Sequence, residues 1–303
     1  MSTESNIRMI VHGGAGGVPD DPAPRQAVLD EAATAGVDRK TPLDAVEHAL
    51  GVLEASPRFN AGVGGAVQSD GVVRTDAGVM TSDRRIGAAC SMPGVERAAS
   101  VARVVHSETP HIFVSGAHAV ALASEFGIET NEDLLTDDTH ARYDAEDPPQ
   151  GGPREHLDWL ATRFGSGEDQ AGGGEKNAAP DHDTVGAVAT DGETFAAATS
   201  TGGRSFALAG RVGDVPQVGS GFFCTAAGGA SATGAGEDIA RVTLSRRAVD
   251  HLEAGETAQT AADRAIDEFA DLTGSGAGVI VLGGDGAGSA FNTDGMQTSV
   301  VYK

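Results

Sequence analysis

A threonine directly after an acid, at Asp183-Thr184 in "DHDTVGAVATDGETFAAATSTGG", is where this 303-residue chain first offers more chemistry than its surroundings need. The stretch reads as a β-hairpin around an Asp-Gly turn at Asp191-Gly192, yet it closes on a second threonine, Thr201, and a Gly-Gly pair. A threonine hydroxyl is a weak nucleophile unless a base stands beside it. If the chain were cut before Thr184, the freed α-amine, with an unperturbed pKa of about 7.7 to 8, would put nucleophile and base on one residue. The plain alternative is strand propensity, which places threonines in hairpins without further purpose. In "GRVGD", Arg211 and Asp214 form a second candidate. A guanidinium can grip a carboxylate bidentately and a carboxylate can accept from an ammonium, although the two could equally form a surface ion pair of little value. A third, "ATGAGE" at Ala232 to Glu237, reads as a loop before a helix or as a helix N-terminus that binds an anion. "VHGGAGG" at Val11 to Gly17 follows a strand as phosphate loops do. No Gly-Lys-Ser/Thr follows it and the dinucleotide spacing is not met, which weighs against a nucleotide-binding α/β protein. The nine histidines form no His-Glu-x-x-His pattern, so no catalytic metal is indicated.

The elements that must position these residues are mixed. "RMIVH" reads as a strand, as do "HIFVSG", the two arms of the hairpin, "GVIVLGGDGAGSAFN" with a turn at Asp285-Gly286, and "TSVVY". "TPLDAVEHALGVLEAS" is a helix: Thr41 caps it, Pro42 suits the first turn, Asp44 faces the positive end, and Leu43, Val46, Leu50 and Leu53 form one face. Further helices fit Val95 to His106, Ala117 to Phe126, Glu155 to Phe164, Asp238 to Glu253 and Ala258 to Leu272. Between Thr136 and Asp183 the chain is rich in Gly, Pro and acids, and reads as a flexible acidic connector. A connector ending abruptly at a core strand makes sense if the chain is cut there.

Length and an apolar share of 40 % suit one large domain or two modest ones with a real core. The formal net charge of −23 argues against nucleic acid or an anionic membrane as partner. Lysine is confined to Lys40, Lys176 and Lys303, a surface suited to concentrated salt and a halophile, or equally to an ordinary acidic cytosolic protein. No segment approaches the ~18 apolar residues of a span, and "MSTESNIRMIVHGG" lacks the pattern of a secretory leader, so the expectation is a cytoplasmic protein without membrane contact. Cys90 and Cys224 match no metal-ligand spacing and read as small buried hydrophobes.

Taken in order, "VHGGAGG", "FNAGVGGAV", "TVGAVATDGETFAAATSTGG", "GRVGD", "ATGAGE", "GSGAGVIV" and "FNTDGM" resemble the plant-type asparaginase and isoaspartyl peptidase family of N-terminal-nucleophile hydrolases, over almost the whole chain. The resemblance implies a single α/β domain spanning residues 1–303, a four-layer αββα sandwich that cleaves itself between Asp183 and Thr184 into an α chain 1–183, with a tail from about 136, and a β chain 184–303. It implies Thr184 as nucleophile, Thr201 as the second threonine beside it, Arg211 and Asp214 on the substrate's α-carboxylate and α-amine, Thr233 and Gly234 as oxyanion donors, and Gly236 close to the bound amino acid. It further implies hydrolysis of L-asparagine, or of β-aspartyl dipeptides, through an aspartyl-Thr184 ester, with no catalytic cofactor. A structural sodium ion near Phe59, Asn60, Ala61 and Val63, and a homodimer of αβ units, complete the expectation. "HDT" is similar to the glycosylasparaginase branch, so that activity stays open, as does a silent binding protein of the same fold. Where the family often has "MDGN" this chain has "VMTSDRR", which puts Asp83 near the substrate side by analogy, and Arg204 replaces an apolar residue.

Overall fold

Small residues on both faces of the hairpin need neighbours on both faces, and they have them. In the computed structural model, which describes residues 6–164 and 184–303, β5 (Val185–Thr190) and β6 (Phe195–Thr201) pair antiparallel, with Val185 opposite Ser200 and every residue buried. Outward from β5 come β1 (Arg8–Gly16) and β11 (Gly295–Tyr302). Outward from β6 come β2 (Arg74–Thr81), β3 (Ile86–Pro93) and the short β4 (Phe113–Ser115). The sheet runs β11-β1-β5-β6-β2-β3-β4. A second sheet, in the order β10-β9-β8-β7, is built from β7 (Phe222–Thr225), β8 (Gly228–Gly234), β9 (Ala277–Gly283) and β10 (Ala287–Phe291).

Successive side chains of a strand point to opposite faces, and this period divides the core in two. Met9, Val11, Ala187, Ala198 and Val79 pack with helices α1 (Pro22–Val37), α2 (Pro42–Glu54) and α3 (Ala98–Glu108). Their neighbours Ile10, Val188, Ala197 and Met80 pack instead with Phe222, Ala230 and Val279 of the second sheet. The sheets approach closely where Gly78 faces Phe222, whose ring would lie 1.9 Å from any Cβ placed there. Strands covered on both sides read as continuous runs, which is why β2, β3, β7 and β8 show no strand signal in the sequence.

The cap on α2 is as expected, Thr41 accepting from the Asp44 amide at 3.1 Å. The expected helix from Asp238 to Glu253 is two helices, α7 (Gly236–Val242) and α8 (Leu244–Glu253), broken at Thr243, which adopts φ 54°. The break holds because the freed amides of α8 find carbonyls elsewhere: Ser245 donates to Ser220 O at 3.3 Å and Arg246 to Gly219 O at 2.8 Å. α9 (Ala258–Thr273) follows, capped by Thr257, and with α8 covers the second sheet. Beyond β4, "HIFVSG" contributes only an edge strand and the chain turns at once into α4 (Gly116–Glu125). The stretch from Thr136, a connector by composition, contains α5 (Asp137–Glu146), capped by Thr136, and α6 (Pro153–Phe164). Residues 165–183 of that connector, with Asp183 and so the expected cleavage bond, lie outside the described residues. Among the described residues Cys90 and Cys224 are buried and unpaired, and no helix is long and apolar enough to cross a membrane.

Candidate active site

The antiparallel register brings the start of β5 beside the end of β6 and the start of β2, so Thr184, Thr201 and Asp76 meet at one end of the sheet. Thr184 is 9 % exposed. Its Oγ1 donates to Thr201 Oγ1 at 3.3 Å, and Thr201 Oγ1 in turn accepts from the Gly203 amide at 3.1 Å. The loop after α2 locks this corner. Asn60 Nδ2 donates to Gly203 O at 2.7 Å, its Oδ1 accepts from the Ala66 amide at 2.7 Å, and its carbonyl accepts from Gly202 N at 2.9 Å.

Behind Thr184 the two sheets are joined by polar groups. His12 Nε2 and Ser231 Oγ are 3.0 Å apart, Ser231 Oγ and Thr199 Oγ1 2.7 Å, and Thr199 donates to Gly221 O at 2.8 Å. Gly186 leaves room for this chain, since a Cβ there would stand 2.0 Å from Ser231 Oγ and 2.3 Å from His12 Nε2. Burial pushes the His12 imidazole down to about 3, with the Thr184 backbone opposing weakly, so the ring is neutral at ordinary pH.

The charged groups come from the loop between β6 and β7 and from the start of α7, beside the end of β8. Thr233 and Gly234 end β8, where Thr233 Oγ1 accepts from the Ala15 amide of β1 at 3.3 Å and Gly234 adopts φ 134°. Gly236 opens α7 against the pair from "GRVGD": a Cβ on it would lie 2.7 Å from Asp214 Oδ1 and 2.9 Å from Arg211 Nη2. Glu237 accepts from Arg211 Nε and Nη2, both at 2.8 Å, which fixes the plane of the guanidinium. Burial works against charge on Arg211, but Glu237, Asp214 and Asp76 together raise its pKa. Burial likewise works against Glu237, yet the bonds from Arg211 hold its carboxyl down to about 2. Asp214 is 6 % exposed, and burial pushes it up to about 7 against the pull of Arg211. Its Oδ2 is buried with no hydrogen-bond partner. The hydroxyl pair beside the ends of β5 and β6, with the fixed guanidinium and unsatisfied carboxylate oxygen of the loop between β6 and β7, suits acyl transfer on a small zwitterion.

Asp83 is not part of this corner. It sits in the β2–β3 turn, bound by Thr81 and Arg85, while Thr201 pairs with Asp76 at the opposite end of β2. At about 3.3 Å per residue the strand separates them by roughly 20 Å, so the expectation that Asp83 stands on the substrate side is corrected. Arg204 does lie nearby, within electrostatic reach of Glu237, whose ionised form it favours. Among the described residues no group of three or more His, Cys, Asp or Glu could hold a metal. In the loop Phe59 to Val63 the Asn60 side chain is committed to protein partners, whereas the carbonyls of Phe59, Ala61 and Val63 accept no hydrogen bond from described residues.

Four residues of the corner have no role in the sequence reading. Glu237 stands within the quoted "ATGAGE", and His12 within "VHGGAGG". A lone acid in an apolar run is the signal for Asp76, which accepts from Ser91 N at 2.7 Å and is pushed up to about 7 by burial. Glu54 carries no signal, being one more acid at the end of an amphipathic helix. It is fully buried, and its Oε1 accepts from Ser200 Oγ at 2.6 Å and Ala99 N at 2.9 Å. Burial raises its pKa to about 7 from an ordinary 4.5, so the folded chain holds a proton that the unfolded chain releases in between. That stability is fully present below pH 4.5 and is lost as pH rises through about 7. Glu54→Gln is therefore expected to flatten the fall in melting temperature between mildly acidic and alkaline buffer, recovering on the order of 2 kcal/mol at alkaline pH in paired thermal scans.

Helices and two sheets give the chain a mixed α/β architecture. The family model Asparaginase_2, described as asparaginase, matches residues 5–303. A plant-type L-asparaginase of Pyrococcus abyssi is 35 % identical over 301 residues, 96 % of this chain and 95 % of its own length. The enzyme of Thermococcus kodakarensis with the same name is 35 % identical over 299 residues, 95 % of this chain and 94 % of its own. An isoaspartyl peptidase/L-asparaginase of Macaca fascicularis is 34 % identical over 289 residues, 91 % of this chain and 87 % of its own. The chain belongs to the Asparaginase_2 family.

Proposed function

We propose that this chain hydrolyses the side-chain amide of L-asparagine and the isopeptide bond of β-aspartyl dipeptides, after cutting itself between Asp183 and Thr184. The observation that carries the reading is Asp214 Oδ2, buried and unpartnered beside a guanidinium whose other edge is taken by Glu237. A carboxylate oxygen so placed calls for a cationic donor, and the adjoining Arg211 calls for an anion. An α-amino acid head supplies both at once, and asparagine and β-aspartyl peptides share that head.

In this reading the freed amine of Thr184 takes the proton from Oγ1, which attacks the substrate's side-chain carbonyl carbon. Thr201 Oγ1 accepts a hydrogen bond from Thr184 in the resting corner and steadies the hydroxyl there. Thr233 and Gly234 stabilise the oxyanion, a contribution worth on the order of 100- to 1000-fold per donor in comparable sites. The protonated amine then delivers its proton to the leaving nitrogen, which departs as ammonia or as the amino group of the released residue. Water adds to the aspartyl-Thr184 ester and frees aspartate, restoring the hydroxyl. His12, neutral and buried, supports the strand behind Thr184 through its contact with Ser231.

The finer architecture proposed is the αββα layering of N-terminal-nucleophile hydrolases, supported by helices packed outside each of two facing sheets. The carbonyls of Phe59, Ala61 and Val63, which accept no hydrogen bond from described residues, suit a hard monovalent cation such as sodium, whose role would be to stiffen the loop that carries Asn60. Pairing of two αβ units is proposed from the family alone. The test is release of aspartate by purified, cleaved protein from L-asparagine, a β-aspartyl dipeptide and N-acetylglucosaminyl-asparagine in parallel. Turnover of the first two supports the proposal. Turnover of the glycosylated substrate alone would replace it with glycosylasparaginase.

A further inference from the structure

The loop between the second threonine and Asp214 carries an anomaly. Phe206 adopts φ 59°, a conformation that side chains other than glycine rarely take, and it is nevertheless buried. Its amide donates to Val67 O at 2.7 Å, and its ring meets that of Trp159, on α6, edge-on with centroids 6.2 Å apart. Val67, Val73 and Leu134 complete the cluster with Phe206, and Tyr143 of α5 packs against it.

From Phe206 to Arg211 the loop is laced to the turn at residues 67–69. Ser69 N donates to Ala207 O at 2.8 Å and Ala209 N to Ser69 Oγ at 3.2 Å. Gln68 Oε1 accepts from Gly210 N at 2.8 Å while its Nε2 donates to Arg211 O at 3.1 Å. Tyr143 OH donates to Ser69 O at 3.3 Å, so the turn is held from α5 as the loop is held from α6. Arg211 thus has its guanidinium fixed by Glu237 and its backbone fixed by a frame that ends on the Phe206–Trp159 contact. That contact crosses the expected cleavage bond in sequence.

We propose that Phe206 and Trp159 are positioning residues for substrate recognition: α6 clamps the loop in its left-handed form and so places Arg211 for the substrate's carboxylate. Arg211 contacts the substrate; these two act only through it. The inference rests on the reading of Arg211 as the carboxylate-binding group. Displacing a binding group by about 1 Å can cost on the order of 100-fold in rate, and a loop still held by Gln68 loses part of that.

The experiment compares steady-state kinetics on L-asparagine for cleaved wild-type protein and for Phe206→Ala, Phe206→Gly, Trp159→Ala, Trp159→Phe and Arg211→Lys. Phe206→Gly keeps the left-handed backbone accessible, so the loop still folds without the ring. Expected are intact-mass spectra with complete cleavage in all, a KM raised on the order of 10-fold in both Phe206 variants and in Trp159→Ala, kcat within about 3-fold of wild type, and partial rescue in Trp159→Phe. A KM unchanged in these variants while Arg211→Lys raises it would overturn the inference and leave the reading of Arg211 standing. A fall in kcat as large as the rise in KM, together with a lowered melting temperature in Phe206→Gly and Trp159→Ala, would also overturn it, as a structural role alone. An unchanged KM in Arg211→Lys would remove the reading beneath it.

Discussion

Replacing Thr184 by alanine is expected to leave an undivided chain whose release of aspartate from L-asparagine is all but lost. Both losses follow from one missing atom. The oxygen that would attack the preceding carbonyl during self-cleavage is the oxygen that would attack the substrate afterwards, and Thr201 Oγ1, 3.3 Å away, is not its substitute. Thr201 has no route to a free amine of its own, because it closes β6 and its hydroxyl is engaged with Gly203 N. Removing a covalent nucleophile in comparable sites lowers turnover on the order of a million-fold, and the same scale is expected here. Thr184→Ser keeps the oxygen and is expected to cleave and turn over, more slowly, because a serine lacks the methyl group that restricts χ1 in a strand. Intact-mass spectra and an ammonia assay on the same samples check both variants.

The second large effect has opposite signs in two measurements. Asp214→Asn is expected to lower kcat/KM for L-asparagine by about 100- to 1000-fold, the scale of breaking one partner of a buried charge pair. The same change is expected to raise the melting temperature at alkaline pH. The physical cause is common to both: burial raises the Asp214 pKa to about 7, so ionising it costs stability that only a bound ammonium restores. Stability from this group is fully present below its ordinary pKa of 3.8 and is lost as pH rises through about 7. Substrate binding runs the other way, so kcat/KM of the wild type rises with pH through that range and the rise disappears in Asp214→Asn. A pH profile of kcat/KM with thermal scans at the two ends of the range measures both arms.

Much of the proposed site is legible in the sequence, because it is made of short blocks in a fixed order. Thr184, Thr201, Arg211, Asp214 and Gly236 stand in motifs, and the β5–β6 register brings the first two together as a hairpin must. Asp83 was misplaced because analogy fixed its position in sequence while the direction of β2 fixed it in space. The strands β2, β3, β7 and β8 were missed because strands covered on both faces lose the alternation of apolar and polar residues. The break at Thr243 was missed because its support comes from carbonyls more than twenty residues earlier. Glu54 and Phe206 were missed for a related reason: burial turns an ordinary acid into a proton-holding bridge, and a loop phenylalanine into a clamp, through partners that no local pattern reveals.

Self-activated hydrolysis requires that one residue become both a chain terminus and the acylated group. Acid-quenching cleaved protein during turnover of L-asparagine and mapping the β chain by tandem mass spectrometry tests it directly. The expected result is a fragment beginning "TVGAV" that carries an aspartyl group on the Thr184 oxygen, absent from Thr184→Ala. Turnover by an uncut chain, or an aspartyl group on any other residue, would contradict it.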